Sequence, residues 1–176
     1  MTNYSNIIKN YHQYESAAAV WQELQHINYA VVKGEPLSIL AYGREGMRIS
    51  SDIDILISRK NLDTAVSALN KAGYIQPHAD RYSHIVSLSY SHQLLPFISF
   101  ESEPPATIDL NFDIVWGGYE GPPLDIDDFL ADGDCITIYG FKIKVLSPVK
   151  SLIQVALHGY KDMNSMYLLL TRKQLN

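Results

Sequence analysis

The segment Asp52-Ile53-Asp54-Ile55-Leu56-Ile57 alternates acids with aliphatic residues at its start. Period two is the pattern of a strand, and it puts Asp52 and Asp54 on one face with Ile53, Ile55 and Ile57 on the other. Carboxylates at i and i+2 of a strand stand roughly 6–7 Å apart. Facing a dry core unpaired, both would be costly. A hard divalent cation, Mg²⁺ or Mn²⁺, removes that cost, because such an ion takes oxygen ligands and commonly combines one or two carboxylates with substrate phosphates. A second acidic strand follows over residues 106–114, where Asp109, Asn111 and Asp113 share one face and Ile108, Leu110 and Phe112 the other. Asp109 beside the Asp52–Asp54 strand would complete a set of three acids. Such a set can hold two metal ions against the attacking and leaving oxygens of an in-line phosphoryl displacement. The same alternation also suits a strand facing water, so the acids alone leave a plain α+β domain open.

Chemistry on phosphate also needs donors and positive charge. Lys33-Gly34 and the loop carrying Arg44, Arg48 and Ser51 precede the first acidic strand. Gly34 lets backbone amides come close to a phosphate. Lys33, Arg44 or Arg48 could offset developing negative charge. The other readings stay open: Lys33 as a strand-end lysine reaching solvent, Arg44 as a solvated loop residue, Arg48 as an ion-pair partner of the acids four residues on.

These residues must be positioned by the elements around them. Ser16 reads as the cap of a helix through Ala17, Val20, Trp21, Leu24 and Ile27. Residues 29–34 read as a buried strand and turn, Pro36 as the opening of a short helix, and Gly43 as its stop. A helix capped by Asn61 runs to about Ala72, with Gly73 behind it. Residues 84–90 and 94–100 read as a strand pair, and 135–146 as a hairpin turning near Tyr139-Gly140. Ser147-Pro148 starts a helix with apolar positions Val149, Leu152, Ile153, Ala156 and Tyr160, and a last helical piece covers 164–173. The expected fold is α+β, a mixed sheet with helices packed against it and a short C-terminal helical segment. Residues 1–15 read as a polar, loosely ordered N-terminal segment, 16–146 as the main domain, and 147–176 as C-terminal helices.

Bulk properties narrow the partners. A chain of 176 residues suits one domain. Its net charge is −5 with 14 Lys and Arg, and no basic run exceeds two residues. Long nucleic acids, whose binding requires many phosphates to be neutralised, are poor partners. One cysteine, Cys135, allows no intrachain disulfide and reads as a buried core thiol. No signal-peptide core or membrane-spanning run is present, so the expectation is a cytoplasmic protein with no membrane partner.

The order Lys33-Gly34, short helix, Tyr42-Gly43, Arg48, SDIDILI, IDLNFDI and a late His158-Gly159-Tyr160-Lys161 resembles the uncharacterised nucleotidyltransferase family of bacteria, within the DNA polymerase beta-like nucleotidyltransferase superfamily. The resemblance spans roughly residues 20–170. It implies the nucleotidyltransferase fold, a nucleoside triphosphate substrate and magnesium. By residue it implies metal binding at Asp52, Asp54 and Asp109, and nucleotide binding at Lys33, Gly34 and Arg48; Ser51 joins the nucleotide-binding set from its place in the loop before the acids. Arg44, Asn111 and His158 become cleft residues. The usual glycine-serine turn of the superfamily is replaced here by AYGREGMR, Asn111 stands where the family commonly has His, and Asp162 where a second His is often found. Family members usually continue into a larger helical region, so the acceptor-binding half is expected to be minimal, missing or supplied by a partner.

By helical period His158 lies opposite the apolar stripe, toward solvent or the cleft. His12, His26 and His78 read as surface residues, and no metal-ligand spacing joins them to His84 or His92. Trp116 reads as core, with stacking on a base as the other use. Two functions compete. One is transfer of a nucleoside monophosphate to a small-molecule or protein acceptor. The other is an inactive binding or antitoxin-like module on the same fold, with a protein partner or a homodimer.

Overall fold

The structure is a computed structural model that describes residues 4–80, 82–115, 119 and 121–173, without side chains from 164 onward. Trp116 falls outside the described residues. Six strands form one mixed sheet: β1 (Tyr29–Val31), β2 (Ile53–Ile57), β3 (Phe97–Ser99), β4 (Ala106–Asn111), β5 (Asp134–Ile138) and β6 (Phe141–Val145). Their order is β3-β4-β2-β1-β6-β5. The central pairs β2–β4 and β1–β6 are parallel, while β1–β2, β3–β4 and β5–β6 are antiparallel. The helices are α1 (Tyr4–Ser16), α2 (Ala18–Leu24), α3 (Gly34–Tyr42), α4 (Leu62–Lys71), α5 (Ser83–Tyr90), α6 (Ile126–Leu130) and α7 (Pro148–Lys173). The expected α+β mixed sheet is therefore present. Among the described residues no helix is long and apolar enough to cross a membrane.

The two faces of the sheet differ. Ile53, Ile55 and Ile57 of β2 join Ile108, Leu110 and Phe112 in the main core, with Val20, Trp21 and Leu24 of α2 and Ala65 and Leu69 of α4. The opposite face holds a smaller cluster of Ala30, Val32, Leu56, Leu146 and the α6 residues Ile126, Phe129 and Leu130. On that second face the β2 alternation continues from Leu56 back to Asp54, which leaves a polar stretch of sheet beside a small core.

Several elements depart from the sequence expectations. Residues 4–16 are helical, with Asn10, Gln13 and Tyr14 buried, rather than loosely ordered. Ser16 ends α1 instead of capping α2, whose N-cap position is Ala17. Residues 83–90 are helix, not strand. Ser83 Oγ donates to Asp80 Oδ1 at 2.7 Å, and the same hydroxyl accepts from Asp80 N–H, a local turn that starts α5. Cys135 is exposed on the edge strand β5 rather than buried. The expected stripe on α7 faces outward: Leu152 is 69% exposed and Val149, Ile153 and Tyr160 are exposed too, whereas Gln154 is buried. The 164–173 segment continues α7 as one helix.

Candidate active site

Parallel pairing of β2 and β4 sets Asp54 opposite Asp109 in register. Opposed residues of a sheet share a face, so the two carboxylates lie on the same side, with Asp52 one step before the strand. Asp54 is 7% exposed and the other two are half-buried. Burial raises the Asp109 carboxyl to about 6, and the charges of Asp52 and Asp54 push the same way. Burial, then Asp54, also raises Asp52. Asp109 Oδ1 is buried without a hydrogen-bond partner, while Gln93 reaches Oδ2 at 3.5 Å. Three acids thus share one poorly solvated region at a mutual cost.

Lys33 answers part of that charge. Val32 N–H donates to Asp54 O at 2.9 Å, which extends the β1–β2 pairing and brings the next residue to the acid. Lys33 Nζ lies 2.8 Å from Asp54 Oδ1, and Asn111 Nδ2 donates to the same oxygen at 3.3 Å. Lys33 and Gly34 both have positive φ, 72° and 52°, at the start of α3. A side chain on Gly34 would meet Ser50 Oγ at 3.1 Å. That hydroxyl donates to Asp52 O at 2.6 Å, so the Lys33-Gly34 turn packs against the backbone of the acid pair. The neighbouring Ser51 hydroxyl works against the upward push on the Asp52 carboxyl.

The loop leading into β2 is held from α1. Asn10 Nδ2 donates to Arg48 O at 2.8 Å and to Glu35 Oε1, and Ser50 N–H donates back to Asn10 Oδ1 at 3.3 Å. Gln13 Nε2 donates to Ser51 O at 2.8 Å. Buried Glu35 also accepts from Gly46 N–H at 3.0 Å and from Tyr139 Oη at 2.6 Å. None of these positioning residues is signalled by the sequence, because a polar side chain that bonds to a distant backbone leaves no periodic trace.

The arginines sit elsewhere. Arg48 is exposed in a groove between α3 and α7 with Leu37, Leu40, Tyr42 and Leu152, and among the described residues it makes no ion pair with the acids. Arg44 is exposed, its Nε 3.1 Å from Met47 Sδ. The cation that faces the acids is Lys33. Beyond Asn111 the cleft continues between the sheet and α7, lined by Lys33, His92, Asn111, Asp113, His158 and Lys161. His158 therefore faces the cleft, and burial followed by Lys33 lowers its pKa. His92 and Lys161 are cleft residues that the sequence reading missed; the available signal was the three-residue spacing of Lys161 from His158, one helical turn.

The profile of the uncharacterised nucleotidyltransferase family matches residues 3–170. The chain belongs to the uncharacterised nucleotidyltransferase family. The structure is similar to the crystal structure of a candidate nucleotidyltransferase from Thermotoga maritima, with a TM-score of 0.53 and 14% identity over 87% of this chain and 89% of that one. At that identity the likeness concerns the fold. No curated protein matches the chain by sequence. Family and fold together support nucleotidyl transfer as the reaction class.

The donor set of this nucleotidyltransferase suits a divalent cation in kind: three carboxylates, one with an unpartnered buried oxygen. As the side chains stand, no group of three or more His, Cys, Asp or Glu among the described residues is gathered closely enough to hold an ion. Lys33 occupies Asp54 Oδ1 instead.

Proposed function

We propose that the protein is a metal-dependent nucleotidyltransferase that moves a nucleoside monophosphate from a nucleoside triphosphate to a hydroxyl, amine or phosphate of a small-molecule or protein acceptor. The observation that carries this is the register match of Asp54 and Asp109 on parallel strands, with Asp52 beside them and the Lys33 ammonium against Asp54. Bound at Asp52, Asp54 and Asp109, Mg²⁺ or Mn²⁺ would supply charge neutralisation for the phosphates and for the attacking and leaving oxygens. Lys33, once its Asp54 contact loosens, is placed to meet a phosphate oxygen, and the Lys33-Gly34 turn offers backbone N–H groups at the start of α3. Asp109, with its carboxyl held near 6, is ionised at neutral pH and can take a proton from the acceptor.

Labelled triphosphates incubated with Mg²⁺ or Mn²⁺ and cell extract should yield a labelled acceptor. Asp54→Asn should lower that turnover by about a hundredfold or more, the loss of a central electrostatic group. Metal-stimulated turnover that survives Asp54→Asn would reject the reading.

One observation favours a second reading. The Lys33–Asp54 ion pair neutralises an acid without any metal, as a catalytically inactive binding module would need. Such a module would show no rise in melting temperature with millimolar Mg²⁺ or Mn²⁺, whereas the enzyme should show one that Asp54→Ala abolishes.

A further inference from the structure

The α7 wall of the cleft carries positive charge that the metal chemistry does not use. Lys161 Nζ lies 3.3 Å from His92 Nε2, and Lys161 is half-buried. Among the described residues no carboxylate lies within ion-pair distance of it. An ammonium group donates only, so the contact requires His92 Nε2 to accept, leaving that imidazole neutral. Consistent with this, His92 is lowered to about 4, first by burial and then by Lys161, Lys33 and His158. Lys33 stands across the same cleft, but Asp54 already balances it. The nearby acids are engaged: Asp113 Oδ1 accepts from Ile114 N–H at 2.8 Å and Val115 N–H at 3.2 Å, and Asp162 lies 3.6 Å from His158 Nε2. What remains is the Lys161 ammonium and two imidazoles around a narrow space beside the acid pair, with the Asn111 amide already donating to Asp54 Oδ1 at 3.3 Å and the Asp113 carboxylate on the same lining.

The geometry points to an oxyanion subsite at Lys161, His92 and His158 that receives a phosphate group of a substrate. The inference rests on reading the cleft as a nucleotidyl-transfer site and names the chemistry recognised at its α7 side. Two sources present that chemistry: the distal phosphates of the nucleotide, leaving as pyrophosphate, and a phosphate carried by the acceptor. On binding, the anion replaces the His92 contact of Lys161, and both imidazoles turn an N–H toward it. Charge-assisted hydrogen bonds of this kind are about twice as strong as neutral ones.

Calorimetry without divalent metal tests it, using the full chain, inorganic pyrophosphate and glycerol 3-phosphate. At least one anion should bind. Lys161→Gln should weaken it about tenfold or more, the loss of one half-buried charged contact, and Lys161→Arg should retain most of the affinity. Asp54→Asn should bind at least as tightly as the parent, since it removes a repelling charge; this separates the subsite from metal-dependent transfer, which that variant should lose. Binding of pyrophosphate alone assigns the subsite to the nucleotide, and Lys161-dependent binding of glycerol 3-phosphate assigns it to the acceptor. The proposal is overturned if neither anion binds, if Lys161→Gln binds like the parent, or if the exposed Lys142→Gln loses as much. Unchanged circular dichroism confirms that each variant is folded.

Discussion

Asp109 is the residue at which fold and chemistry conflict most. Its carboxyl has an ordinary value of 3.8 and is raised to about 6 in the folded chain, first by burial and then by Asp52 and Asp54. Between those values the folded state holds a proton that the unfolded chain has released. Stability of the metal-free protein therefore falls as pH rises from about 4 to about 6, and stays lower above that. The difference between the two values corresponds to about 3 kcal/mol at most, and partial exposure of the group screens this to about 1–2 kcal/mol. In EDTA, Asp109→Asn should raise the melting temperature at pH 7.5 by a few degrees, and the gain should vanish near pH 4. Thermal melts across that range check it; a lower melting temperature at pH 7.5 would mean that the carboxylate has a partner. Gly34 is a second position where one atom decides. A Cβ there would sit 3.1 Å from Ser50 Oγ on a backbone with φ of 52°. Gly34→Ala should cost about 1–2 kcal/mol through strain. It should also weaken triphosphate binding, because Ser50 holds the Asp52 carbonyl.

At the scale of elements, the parts that apolar pattern controls were legible. The alternation in β2 and β4, the helix ending at Gly43 and the hairpin at Tyr139-Gly140 all appear where the residues place them. The strand expected over residues 84–90 is α5 instead: Val86, Leu88 and Tyr90 alternate like a strand, while the Asp80–Ser83 turn that starts the helix is polar and short. α1 was unreadable for a different reason. Its buried side chains include Asn10 and Gln13, whose value lies in carbonyls about 38 residues away. That helix holds the loop before the acids, so Asn10→Ala should have two effects. It strands the Arg48 carbonyl and the Ser50 amide and should lower stability by about 2–3 kcal/mol. It should also shrink the metal-induced rise in melting temperature, because residues 48–51 lose their anchor; urea titration and metal-dependent melts read the two separately. A destabilised variant with an undiminished metal response would show that α1 supports the fold alone.

For the whole molecule, the orientation of α7 is the decisive feature. The sequence gives its period correctly and its phase misleadingly, since apolar stripes usually point to a core. Here the sheet face beneath the helix presents Asp54, Asp109, Asn111 and Lys33, so an apolar stripe turned inward would strand those groups without solvent or partner. Turning Gln154, His158 and Lys161 inward instead completes a polar cleft, and leaves Leu152 and Met163 about 70% exposed, at 69% and 71%. The main core lies on the other side of the sheet and does not depend on that stripe. Leu152→Ser and Met163→Ser should therefore change stability by no more than about 0.5 kcal/mol. Leu56→Ala, a fully buried side chain of the smaller core on the cleft face, should cost about 2–5 kcal/mol. Urea unfolding of the three variants compares them directly. A core-sized loss at Leu152 would mean that the helix turns its stripe inward, which would at the same time withdraw His158 and Lys161 from the cleft and dismantle the α7 wall.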